Sequence, residues 1–145
     1  MELGEVFAFM RQHRYGVVAS VSADGRPSAA TVGIVVTETG DVIFDTVETT
    51  RKAEHLRRNP AIAITVGSLE AGASTTVQYE GIATFPEGAD LEATRAAYLD
   101  VFPDGAARLH WPGIVHVRVR PRWIRYSTFA TDPPRVHEFR LAGEG

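Results

Sequence analysis

A chain of 145 residues supplies one core of ordinary domain size and excludes two independent ones. With 44% hydrophobic and 23% charged residues it has the composition of a folded globular protein, and its net charge of −3 argues against a duplex-binding surface. No cysteine is present, which excludes disulfides, thiolate metal ligands and cysteine nucleophiles.

The opening MELGEVFAFMRQH lacks the basic and apolar segments of a secretion signal, and no apolar run approaches the ~20 residues that span a bilayer. A cytoplasmic protein with neither a membrane nor a nucleic-acid partner is expected. Leu3, Val6, Phe7 and Met10 fall at helical spacing and predict an amphipathic helix. Residues 15–22 read as a strand, Asp24-Gly25 as a turn, and 28–37 as the returning strand. Thr39-Gly40-Asp41 turns the chain into a third strand over 42–47.

Residues 50–58 predict a short polar helix, with Thr49 or Thr50 as N-cap and Asn59-Pro60 as its stop. A fourth strand follows at 61–67, then a loop over 68–74. The fifth strand, 75–85, sets Thr76, Gln78 and Glu80 on one face and Val77 and Tyr79 on the other. Asp90 is placed to cap a helix carrying Leu91, Thr94, Tyr98 and Leu99. Strands are predicted at 114–120 and 123–130, and residues 130–145 read as a tail on the surface or on a partner.

The sum is a mainly β single domain over residues 1–145, with short helices and one curled antiparallel sheet. Val17, Val18, Ala19 and Val21 make the first strand apolar on both faces. One face can line a barrel; the other needs a helix or a second subunit, so a homodimer is expected.

The stretch FDTVETTRKAEHLRRNPAIAI (44–64) carries the chemistry. Thr46, Thr49 and Thr50 crowd the exit of a strand, and Arg51-Lys52 open the next helix. Cations there oppose the helix dipole, whereas an anion is favoured by the free N–H groups. Arg51 can grip a phosphate through its fork and Lys52 can add a point charge. The competing reading makes both of them solvated helix residues.

Together with the Asp-Gly-Arg-Pro turn (24–27), Asn59-Pro60 and the Val-Arg-Pro segment (119–121), this element resembles the pyridoxamine 5′-phosphate oxidase-like superfamily of flavin-binding split barrels. The resemblance covers residues 3–130 and implies a six- to seven-stranded antiparallel split β-barrel. It implies an FMN phosphate on Arg51 and Lys52, helped by Thr50, and a flavin ring against Thr31, Val32 and Gly33 and against Asp45 and Thr46. A polar fifth-strand residue would reach the flavin across a dimer interface. Counting back from Gly81 gives Thr76, chemistry gives Gln78, and both stay open.

An oxidase arginine falls on Ala30, its substrate-phosphate lysine on Val35, and its C-terminal motif is only echoed in Arg135-Val136-His137-Glu138. Vitamin B6 phosphate is therefore not the expected substrate. The expected activity is FMN-dependent hydride transfer on a small organic molecule, with NAD(P)H as electron source. The alternatives are F420, with Arg118, Arg120, Arg122 and Arg125 as a groove for its tail, and a non-enzymatic flavin or haem carrier. Haem, ligated by His55, His110 or His116, is not the expected cofactor. The five histidines show no zinc spacing, so no metal is expected. His110-Trp111, in a Pro/Gly-rich loop, is the candidate substrate contact.

Overall fold

Along Ala61-Ile62-Ala63-Ile64-Thr65-Val66 every branched side chain but Thr65 falls on one side and the small ones on the other. The computed structural model, which describes residues 1–67 and 74–141, buries the first set and exposes the second. In chain order the elements are α1 (Leu3–Arg11), β1 (Tyr15–Val21), β2 (Pro27–Gly33), β3 (Val35–Val36), β4 (Val42–Val47) and α2 (Arg51–Arg58). Then come β5 (Ala61–Gly67), β6 (Thr75–Thr84), α3 (Gly88–Val101), a 3-10 helix (Pro103–Arg108), β7 (Ile114–Thr128) and β8 (Arg135–Arg140). The loop expected over 68–74 lies, but for Ser74, outside the described residues, as do residues 142–145.

The strands form one antiparallel sheet in the order β2-β1-β5-β6-β7-β4-β3, with β8 added to β7. It curls around Val18, Phe44, Ile64, Val77, Tyr79, Val117 and Ile124, none more than 2% exposed. Burying such side chains contributes about 1.5–3 kcal/mol each. Val6, Phe7 and Met10 of α1 join this core, and Leu56 of α2 packs into it. The expected mainly β split barrel is borne out.

Three details differ from the sequence reading. The strand expected over 28–37 breaks after Gly33: β2 pairs with β1, whereas β3 pairs with β4. At that corner Gly33 packs under the Phe102 ring, where a Cβ would lie 3.2 Å from Phe102 Cζ. The two strands expected at 114–120 and 123–130 are one strand of 15 residues. Its register against β6 slips between Glu80 and Gly81, which face Trp123 and Pro121 and leave Arg122 as the extra residue of a bulge. Proline has no N–H to give to a ladder and is tolerated at such a bulge. Finally, α3 starts at Gly88 with Glu87 as N-cap, and Asp90 sits inside the first turn, where its charge favours the dipole without capping.

Residues 135–140 of the expected tail form β8, whose side chains remain exposed or half-buried.

Tyr79 ties the barrel across its width. Its hydroxyl donates to Gly40 O at 2.8 Å and Val119 O at 3.2 Å, and burial raises its pKa far above the usual phenol value. Tyr79→Phe keeps the ring and removes the donor. It should lower unfolding stability by about 1–3 kcal/mol in denaturant titration, with the slope unchanged.

Candidate functional site

Thr50 is extended and its hydroxyl oxygen accepts from Ala53 N at 3.3 Å, which fixes the start of α2. The same hydroxyl lies 3.0 Å from that of Thr46, a buried residue near the end of β4. Strand exit and helix entry are thereby clamped together. In the first turn that follows, Arg51 is exposed and Lys52 half-buried. No carboxylate among the described residues pairs with either. Thr46, Thr50, Arg51 and Lys52 thus form one cluster, and Thr49 beside them is exposed.

The loop that follows the 3-10 helix borders this cluster. Glu48 N donates to Gly113 O at 2.7 Å, and the Glu48 side chain lies against Gly113. His110 and Trp111 therefore stand on a loop laced to the β4–α2 connection, with Trp111 48% exposed.

Asp45 points to the opposite side of β4. Its carboxylate accepts from Arg108 Nε at 2.8 Å, and Arg108 also reaches Asp104 at 3.0 Å and the Tyr98 hydroxyl at 3.1 Å. These bonds raise the arginine pKa above its ordinary value, and burial, assisted by Asp45, pushes the Tyr98 phenol up to about 12. The carboxylate is thus engaged in holding the 3-10 helix and α3 onto the sheet. Arg108 was not singled out from the sequence, although the Asp104–Arg108 spacing of one helical turn is visible there.

The remaining candidates are spread over the sheet. Register places Thr31, Val17, Thr65 and Gln78 in one row across β2, β1, β5 and β6. Three strand spacings separate Thr31 from Gln78, about 14 Å. Thr76 lies two residues from Gln78 on the same face and is half-buried. Val32 packs on the core and Gly33 on Phe102. Within one chain Gln78 thus stands three strands away from Thr31, while β2 also comes close to β4.

The three histidines considered for haem have distinct surroundings. His55 is 8% exposed, with Nδ1 3.0 Å from Ser20 Oγ. His116 is 2% exposed beneath α3, with its ring edge-to-face on Tyr98 at 5.4 Å. Only His110 of the three is exposed. Burial lowers the His116 pKa. As pH falls, the unfolded chain then takes up its proton first, near pH ~6.5, and stability declines from there downward. His116→Phe should remove this component from a plot of unfolding stability against pH between 7 and 5.

No described residues form a group of three or more metal-binding side chains, and no described helix is long and apolar enough to cross a membrane.

A curled antiparallel sheet with one long strand shared between its two halves defines the split-barrel class. The chain belongs to the pyridoxamine 5′-phosphate oxidase family, which it matches over residues 3–128. Solved structures agree on the fold. A heme-binding protein of Mycobacterium smegmatis superposes with a TM-score of 0.81 at 21% identity, covering 97% of this chain and 59% of that one. This chain is therefore less than two thirds the length of that protein. General Stress Protein 26 of Bacillus anthracis superposes with a TM-score of 0.72 at 22% identity, covering 97% and 100% of the two chains. The heme storage protein HutZ of Vibrio cholerae gives 0.67 at 22% identity, covering 84% and 92%. No curated protein matches the sequence.

Proposed function

We propose that this chain is an FMN-dependent oxidoreductase that works as a homodimer on a small organic substrate, with NAD(P)H as electron source. The observation that carries the reading is the pair of cations, without carboxylate partners among the described residues, at the first turn of α2 beside two linked threonine hydroxyls. Their charge works against the helix dipole unless an anion is present. A phosphate monoester fits this donor set: Arg51 would hold it through its fork, Lys52 as a point charge, and the first-turn N–H groups along the helix axis.

When bound, FMN supplies the hydride chemistry. The chain supplies binding and orientation, through Thr31, Val32 and Gly33 on β2 and Thr46 on β4. Asp45 would act as a positioning residue through Arg108, since that contact occupies its carboxylate. Thr76 and Gln78, remote within their own chain, would serve the flavin of a second copy. The outer face of β1, β2 and β5 supports such pairing, because Ala19, Ala29, Ala61 and Ala63 leave it flat and uncharged. A shallow groove of ≈ 370 Å³ crosses it.

Two observations favour FMN over F420 and haem. Arg118 is bonded to Asp41 at 2.8 Å and Arg125 pairs with Glu138, so neither is free to take a polyanionic tail. His116 is buried beneath α3 and borders a space of only ≈ 70 Å³, and the His55 ring is engaged by Ser20. Titration of the apoprotein with FMN, F420 and haem, alongside sedimentation, tests the reading. FMN should bind with one site per chain in a dimer, and NAD(P)H with a dye acceptor should turn over. A monomer without affinity for any flavin would overturn it, and stoichiometric FMN without turnover would make the chain a carrier.

A further inference from the structure

At the end of β2, the segment given to the flavin ring above, the chain sets an exposed aromatic ring and a cation that the fold does not use. Tyr15 opens β1 and faces Gly33 across the strand pair. Ile34 N donates to Arg14 O at 2.9 Å beside them, so Tyr15 and Gly33 occupy a closely spaced, non-hydrogen-bonded position of the ladder. Alternation along β1 buries Gly16, Val18 and Ser20 and puts Tyr15 on the outer face with Thr31 and Gly33. Glycine gives the Tyr15 side chain nothing to pack on, and Tyr15 is 64% exposed.

Arg14, the residue before it, is exposed, with its guanidinium 5.5 Å from the centroid of the Phe102 ring. That same ring packs on Gly33. A contact of this kind holds the cation by the aromatic face and leaves its N–H fork unspent. No carboxylate among the described residues pairs with Arg14. Asp104, whose carboxyl is held below its usual range by Arg108 first and by Arg14 in lesser part, is already bonded to Arg108 at 3.0 Å.

The charges decide the class of guest. Arg14 repels a cation, and a neutral apolar molecule would leave the fork unused. One fork matches the two oxygens and single charge of a carboxylate. A phosphate dianion would find its second charge unmet, since Arg108 is taken by Asp45, Asp104 and Tyr98. The Tyr15 ring, one residue along, adds a flat face for a conjugated group.

We propose that Arg14 and Tyr15 form the substrate end of the flavin site and select a small aromatic carboxylate, its acid group on the Arg14 fork and its ring on Tyr15. The assignment of this guest as substrate rests on the flavin reading of β2; the two side chains bind the acid with or without flavin.

Sodium benzoate and benzamide, which share a ring and differ in charge, test it on the FMN-loaded protein and on the flavin-free chain. With FMN bound, benzoate should shift the flavin absorption band saturably, and benzamide should bind at least about tenfold more weakly. Arg14→Met keeps the aliphatic stem and should weaken benzoate about ten- to a hundred-fold, to the level of benzamide, while FMN affinity holds. Tyr15→Leu should weaken both probes. On the flavin-free chain, the Arg14 side-chain ¹⁵Nε resonance should move with benzoate and not with benzamide. That arm separates the two readings. A resonance that moves in a chain that takes no flavin leaves the acid site standing and removes the flavin, whereas FMN binding without a benzoate response removes the acid site alone. Equal responses to benzoate and benzamide, or an unaltered benzoate response in Arg14→Met, would overturn the proposal. So would tighter binding of phenyl phosphate than of benzoate, or a still Nε resonance. Should Arg14→Met fail to fold, the resonance of the unaltered chain decides.

Discussion

Replacing Arg51 and Lys52 together by alanine is expected to weaken FMN binding by about 10²–10⁴-fold while the free protein melts at the same temperature or slightly higher. Each charge-assisted hydrogen bond to a phosphate contributes about 1.5–3 kcal/mol, and two such side chains give about 3–6 kcal/mol, or that range of affinity. The melting midpoint is insensitive because neither side chain has a carboxylate partner among the described residues. Removing two cations from a helix N-terminus also relieves about 0.3–1 kcal/mol of unfavourable dipole interaction per charge. Flavin fluorescence quenching measures the first effect and scanning calorimetry the second. A loss of affinity accompanied by an equal loss of stability would mean that the pair is structural.

Gly40→Ala should cost about 2–5 kcal/mol of unfolding stability. Gly40 has φ +87°, a region that costs other residues roughly 1–2 kcal/mol. A Cβ there would come within 2.2 Å of Phe7 Cζ and 2.7 Å of Phe7 Cε2, and overpacking of this kind costs about 1–3 kcal/mol more. Phe7 cannot retreat freely, since it is 5% exposed in the core that α1 shares with the barrel. The Gly40 carbonyl is also the acceptor of Tyr79, so a shifted turn would weaken that bond too. Chemical denaturation of the variant measures the cost. A change below about 0.5 kcal/mol would show that α1 can move off the turn at no penalty.

What the sequence made legible is what local chemistry dictates. The alternation of β5, the Asp24-Gly25 turn, the Thr50 cap and the stop at Asn59-Pro60 all depend on neighbours within a few positions. The β4–α2 cluster was readable for the same reason, because Thr46, Thr50, Arg51 and Lys52 are nearly contiguous. Elements that depend on remote partners were not. Asp45 is held by a residue 63 positions away, and nothing around it announces Arg108. Phe102 sits over the corner after Gly33, and the bulge at Arg122 falls where β6 passes Pro121 of β7, neither of which neighbouring residues announce. The burial of His116 beneath α3 was equally hidden. Alternation marks His116 as lying on the face opposite Val115 and Val117, but not that a helix seals that face.

β7 is common to both lobes of the barrel, joined to β4 along its first half and to β8 along its second, with β6 beside it from Arg118 to Thr128. A spine of this kind forbids the lobes from swinging apart like hinged shells, since any such motion would have to snap a continuous ladder. Change of shape is therefore left to rim segments, such as the 109–113 loop, around a frame held by one strand.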